Sequence, residues 1–108
     1  MRKYRNRITW CDGIRFSSEA EANRYQQLKL LERGNRISSL KLQVAFELAP
    51  AVQINGRKKP ALRYVADFTY IENDRLVVED VKGVVTQVYA VKRHLMKSVH
   101  GIDIREVK

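Results

Sequence analysis

One cysteine, Cys11, stands in 108 residues, so no internal disulfide is available. A reducing, cytoplasmic setting is the simplest expectation. Cys11, His94 and His100 show no metal-ligand spacing, which excludes a zinc site of the usual kind. No apolar run approaches the ~18–20 residues needed to cross a bilayer. No apolar segment follows the N-terminal MRKYRNR, so a secretory signal is not expected. No stretch joins a basic face to a strongly hydrophobic one, which argues against a membrane surface as partner. Repeats, low-complexity segments and internal linkers are also missing, and residues 1–108 are expected to form one domain.

What the chain does have is positive charge. Its 21 Lys and Arg outnumber 12 Asp and Glu, giving a net charge of +9. Such an excess says little about fold and much about partners. An anionic partner follows, and nucleic acid is the commonest. The hydrophobic share of 44% lies in the globular range.

The hydrophobic pattern places the elements. Arg2 to Arg7 forms a basic arm. Asp12-Gly13 between Ile8-Thr9-Trp10 and Ile14-Arg15-Phe16 signals a hairpin. Ser18 with Glu21 three residues later is a capping-box pattern opening a helix. Tyr25, Leu28 and Leu31 give that helix its apolar stripe, and Gly34 ends it. From Ile37 to Leu48 the period becomes two: Leu40, Leu42, Val44 and Phe46 are expected on one face, with Lys41, Gln43, Ala45 and Glu47 on the other. Pro50 to Pro60 reads as a loop with a basic tip, Arg57-Lys58-Lys59. Strands follow over Arg63–Glu72 and Leu76–Val81. Thr86 is a plausible N-cap for a second helix whose expected stripe is Val88, Val91, Leu95 and Val99. Gly101 closes it, and Ile102, Ile104 and Val107 suggest a short last strand. The order is hairpin, α, β, β, β, α, β, an α/β fold with helices flanking a central mixed sheet.

The sharpest chemical signal lies in Val77-Val78-Glu79-Asp80-Val81-Lys82-Gly83. Alternation puts Asp80 and Lys82 on one face and turns Glu79 to the other. The preceding strand, Tyr64-Val65-Ala66-Asp67-Phe68, holds Asp67 in an otherwise apolar run. A short turn joins the two strands, so they should pair antiparallel and bring Asp67 close to Asp80. Two neighbouring carboxylates repel and call for a counter-charge. Mg²⁺, with Mn²⁺ as substitute, suits a few carboxylates plus water and phosphate oxygens. A lysine beside such a site can orient water or stabilise charge on a phosphate. Acid, acid and lysine therefore point to phosphodiester hydrolysis. Asp-x-Lys alone is weak, because most instances are exposed ion pairs worth about 0–1 kcal/mol. Glu21 falls on the buried stripe of the first helix and has two readings: a third metal-site acid, or the residue that closes the capping box. Glu19 competes with it from farther off the stripe.

These residues resemble the PD-(D/E)XK nuclease superfamily. Its α-β-β-β-α-β core matches the order read from Ser18 to Val107. Residue by residue, the resemblance implies Glu21 as the helix acid, Asp67 as the strand acid, and Asp80 and Lys82 as the (D/E)-x-K pair. Ala66 stands where that family usually has proline. More narrowly, FSSEAEANRY (16–25), LKLQVAFEL (40–48), RYVADFTY (63–70) and VVEDVKGVVT (77–86) resemble small phage-encoded Holliday-junction-resolvase-like endonucleases. The resemblance implies a restriction-endonuclease-like fold and a branched DNA substrate, with action in a bacterial host cell. A homodimer is expected because one small domain offers little DNA-binding surface and cutting two strands needs two sites. Gln43 and Gln87 are candidate site-supporting residues. Arg2, Lys3, Arg5 and Arg7, Arg57 to Lys59, and Lys92, Arg93 and Lys97 are candidate phosphate contacts. A basic DNA-binding module that keeps the fold without catalysis is the alternative, as is a nicking or general endonuclease.

Overall fold

The computed structural model describes residues 7–108. The expected DNA contacts Arg2, Lys3 and Arg5 lie outside the described residues. Strands β1 (Thr9–Cys11) and β2 (Ile14–Phe16) form the N-terminal hairpin, and helix α1 spans Glu19–Arg33. The long strand β3 (Ser38–Ala49) leads into a small hairpin, β4 (Val52–Ile54) and β5 (Arg57–Lys59). Then come β6 (Leu62–Glu72), β7 (Arg75–Val81), α2 (Gln87–His100) and β8 (Arg105–Val107). The central sheet has the order β3-β6-β7-β8, antiparallel except for the parallel pair β7–β8. The fold is α/β, with a mixed sheet between two helices.

Local chemistry explains the boundaries. The Ser18 side chain accepts a hydrogen bond from the Glu21 amide, and Thr86 accepts one from Tyr89, so both helices begin on a side-chain N-cap. Gly101 ends α2 with φ +70°, a left-handed cap that glycine adopts without penalty. Asp12-Gly13, Asn55-Gly56 and Asn73-Asp74 all have positive φ at both turn positions. This is the backbone of turns whose twist matches their flanking strands, and it makes all three links tight hairpins. Residues 50–60 are therefore not the expected loop. Arg57-Lys58-Lys59 is a strand, and Asn55-Gly56 is the tip.

The core is two clusters, one on each side of the sheet. Ala22, Tyr25 and Leu28 of α1 pack with Phe68 and Tyr70. Tyr89 and Met96 of α2 pack with Tyr64, Ala66 and Val78. Thus β6 sends Tyr64 and Ala66 to one side but Phe68 and Tyr70 to the other. A strand with unbroken alternation would keep all four together. The change falls at Asp67. Strand β3 turns over in step: Leu40 and Leu42 pack on the α1 side, Phe46 on the α2 side. The expected single face of Leu40, Leu42, Val44 and Phe46 is therefore corrected. The cause is Gln43, which has φ +53° in mid-strand. A left-handed residue breaks the pleat, so alternation does not carry across it. The pairs Leu42–Phe68 and Val44–Ala66 stay in register, and β6 follows.

The expected stripe of α2 is corrected for its three valines, while Leu95 packs against the core as expected. Val88, Val91 and Val99 are 66%, 59% and 51% exposed, whereas Tyr89 and Met96 are buried. The helix has two apolar arcs about 100° apart. Tyr89 and Met96 are each larger than a valine and fill the space against Tyr64, Ala66 and Val78, so their arc faces the core. Trp10 is exposed.

Helix α1 is tied to the sheet by a buried ion pair. Glu79 is fully buried and accepts two hydrogen bonds from Arg24, at 2.6 and 2.9 Å. Tyr70 donates a third at 2.5 Å. Removing one partner of such a pair leaves an uncompensated charge in the interior. Arg24→Ala should therefore destabilise the fold by about 3–5 kcal/mol, read as a lower midpoint in urea unfolding. A change below about 1 kcal/mol would show the pair to be replaceable by water.

Candidate functional site

Asp67, Asp80, Glu21 and Lys82 line one cleft of ≈ 560 Å³ at the end of the sheet, between α1 and the segment leading into α2. Antiparallel pairing of β6 and β7 brings the two strand acids together. Asp67 accepts a 2.9 Å hydrogen bond from the Val81 amide. Glu21 and Asp80 are both close enough to bear on its ionisation. Asp80 is 3% exposed. One of its oxygens accepts from the Tyr64 hydroxyl at 2.5 Å, and the other lies 3.3 Å from Lys82 Nζ. Asp80 and Lys82 thus share a face, and Glu79 turns away, as alternation requires.

Glu21 is buried and does more than cap the helix. Its amide binds Ser18, but its carboxylate accepts from Ser17 Oγ at 2.9 Å and from Gln43 Nε2 at 3.3 Å. The carboxylate is thus drawn from the helix start toward the sheet, and Gln43 joins the acids. The left-handed backbone of Gln43 is where the side chain crosses toward α1. Glu19 also lines the cleft but is exposed and lies 3.7 Å from Arg7.

Three contributors were not legible in the sequence. Tyr64 holds Asp80. Tyr89 lies under Lys82, with Nζ 4.1 Å from the ring centroid. Glu106 accepts from the Tyr89 hydroxyl at 2.7 Å and fixes that ring. Only the strand and helix packing brings them here. Gln87, by contrast, is exposed at the first position of α2, and the cleft is lined by Thr86 instead. Arg93 and Lys97 are paired with Glu106 and Asp103, at 2.9 and 2.8 Å. Arg57, Lys58, Lys59 and Lys92 lie away from the cleft lining.

The electrostatics follow from burial. Asp80 is pushed up to about 6, chiefly by loss of water. The Tyr64 hydrogen bond opposes that rise, and the Asp67 charge adds to it. Asp67 is raised too, again mainly by burial, with the Val81 amide opposing and Glu21 adding. Among the described residues, no three His, Cys, Asp or Glu side chains form a ready-made metal cage. Two adjacent carboxylates with raised pKa values, Asp80 buried and Asp67 half-buried, open to a cleft and instead fit a hard cation that keeps much of its water.

The sequence from residue 1 to 107 matches the family described as "Protein of unknown function (DUF1064)". The chain belongs to the DUF1064 family. No curated protein and no solved structure matches the chain. For this DUF1064 protein, the site's own geometry has to carry the functional argument.

The raised Asp80 gives a signed pH effect. The folded protein holds that proton up to about pH 6, while an unfolded chain releases it near the ordinary value of 3.8. The native state therefore binds more protons between those values, and stability from this group falls as pH rises through about 6. In metal-free buffer, Asp80→Asn should lose that part of the decline, so its Tm rises relative to wild type as pH goes from acid to neutral. Parallel Tm curves would show that the Asp80 carboxyl is not held protonated.

Proposed function

We propose that the protein is a metal-dependent DNA endonuclease of the PD-(D/E)XK kind, hydrolysing phosphodiester bonds in this cleft. One observation carries the reading: three acids and a lysine, from α1, β6 and the end of β7, line a single cleft on a chain of net charge +9. In this reading Asp67 and Asp80 hold Mg²⁺ or Mn²⁺, with Glu21 assisting. Such a cation would lower the pKa of a bound water and offset charge on the phosphate. Lys82 is confined between the Asp80 carboxylate and the Tyr89 ring, so its ammonium has few alternative positions. It would orient the attacking water or stabilise the charge developing on the phosphoryl oxygens. Tyr64 keeps Asp80 oriented, and Gln43 and Ser17 do so for Glu21. Branched DNA, such as a four-way junction, is the proposed substrate.

The lack of a ready-made cage among the described residues favours one rival: a basic DNA-binding module that keeps the fold without cutting. A gel assay separates the two. Junction, flap, single-stranded and linear duplex DNA are incubated with Mg²⁺ or Mn²⁺. Asp80→Ala and Lys82→Ala should each reduce cleavage at least about 100-fold while DNA binding persists. Binding without cutting, on every substrate and with both metals, would leave the rival reading standing.

The same reading includes a homodimer, because cutting two strands calls for two sites. The exposed arc of α2, with Val88, Val91 and Val99, is the face proposed for a second copy. Val88→Glu with Val91→Glu should convert a dimer to a monomer in light scattering and leave the circular dichroism spectrum unchanged. A monomeric wild type would remove the dimer from the proposal.

A further inference from the structure

The hairpin β4–β5 has no core. Residues 51–60 are all exposed, both strands included. Its register, Val52–Lys59, Gln53–Lys58 and Ile54–Arg57, puts two apolar and two basic side chains on one face. Gln53 and Lys58 take the other face. A two-stranded hairpin by itself is marginal in water. This one nevertheless leaves Val52 and Ile54 about half exposed, at 49% and 51%.

Its charge says what it fits. No acid occurs between Glu47 and Asp67, whereas Arg57, Lys58, Lys59 and Arg63 do. Among the described residues, no acidic side chain pairs with Arg57, Lys58 or Lys59. The ribbon is therefore complementary to a polyanion. Two strands about 4.8 Å apart, with their side chains, match a major groove about 12 Å wide and not a minor groove about 6 Å wide. Roughly ten residues of mostly extended chain link Arg57 to Asp67, a reach of at most about 36 Å. One turn of B-DNA spans about 34–36 Å.

We propose that β4–β5 is a DNA-binding ribbon that enters the major groove of a duplex within about one helical turn of the cleft. Arg57 and Lys59, on the face of Val52 and Ile54, neutralise phosphates at the groove rim, and Lys58 on the opposite face adds to the ribbon's positive field. Val52 and Ile54 are covered by the groove, where thymine methyl groups offer apolar contact. This inference rests on the DNA reading above and sharpens it: the substrate carries a duplex arm, since a single strand has no groove.

The test is fluorescence anisotropy in EDTA, which prevents cutting. Wild type is compared with Arg57→Gln/Lys58→Gln/Lys59→Gln on duplexes of about 6, 10, 14 and 20 base pairs, a range that brackets one turn. A single strand of the longest length is included. All three positions are exposed, and an unchanged Tm confirms the variant's fold. Wild-type affinity should rise at least about tenfold between the shortest duplex and those longer than one turn, beyond the gain from extra sites. The variant should lose that rise, with a salt slope on the longest duplex shallower by about 2–3. Its affinity for the single strand should change much less. A variant that keeps the length dependence and the slope overturns the ribbon, as does an equal loss on single strand and duplex. Wild-type duplex binding indifferent to the ribbon overturns this inference alone. A wild type that binds no DNA overturns the functional reading with it.

Discussion

Glu79 and Asp80 are neighbours in sequence and lie on opposite sides of the sheet, and the arrangement of the molecule turns on that pair. Glu79 is clamped by Arg24 from α1, with two charge-assisted hydrogen bonds and a third from Tyr70. Arg24 lies one helical turn beyond Glu21, so the clamp that secures α1 against β7 also sets where Glu21 stands relative to Asp80. A buried ion pair is rarely a net source of stability. Its directional hydrogen bonds do restrict how the helix sits on the strand. The acid that alternation turns away from the cleft thus positions the acids within it.

The cleft side of the sheet carries the opposite problem. Three carboxylates are crowded where water is scarce, and each needs partners. Val81 and Tyr64 satisfy the strand acids, and Ser17 and Gln43 satisfy the helix acid. No buried side-chain oxygen or nitrogen among the described residues lacks a hydrogen bond. The remaining strain is electrostatic and appears as raised pKa values on Asp67 and Asp80. Such strain is what a cation would relieve, and it underlies the proposed metal-dependent chemistry. The basic surface and the bare ribbon make the matching proposal at long range, where charge steers a polyanion toward the cleft.

Much of the molecule was legible because its signals are local. Both N-caps, the glycine ends of both helices and the Asp12-Gly13 turn depend on residues within a few positions of one another. The nearness of Asp67 and Asp80 followed from a two-residue turn and antiparallel pairing. What failed was alternation read too far. Gln43 was a candidate for the site from the polar face of β3, but nothing local showed the left-handed backbone that turns β3 over and carries its side chain to Glu21. On α2, the three valines and the pair Tyr89 and Met96 both have helical spacing. Periodicity cannot choose between two apolar arcs; the volume to be filled against the sheet does.

The sequence by itself determined both helices, the strands of the central sheet and their order, the positive charge and the membership of Asp67, Asp80 and Lys82 in one site, but not the hairpin β4–β5. These depend on backbone propensity, side-chain period and short connections. Only the tertiary structure decided that Glu21 faces the strand acids, that Tyr64 and Tyr89 orient Asp80 and Lys82, and that Gln87 stands outside. Those relations join residues tens of positions apart. They depend on how helix and strand pack, which no local pattern encodes.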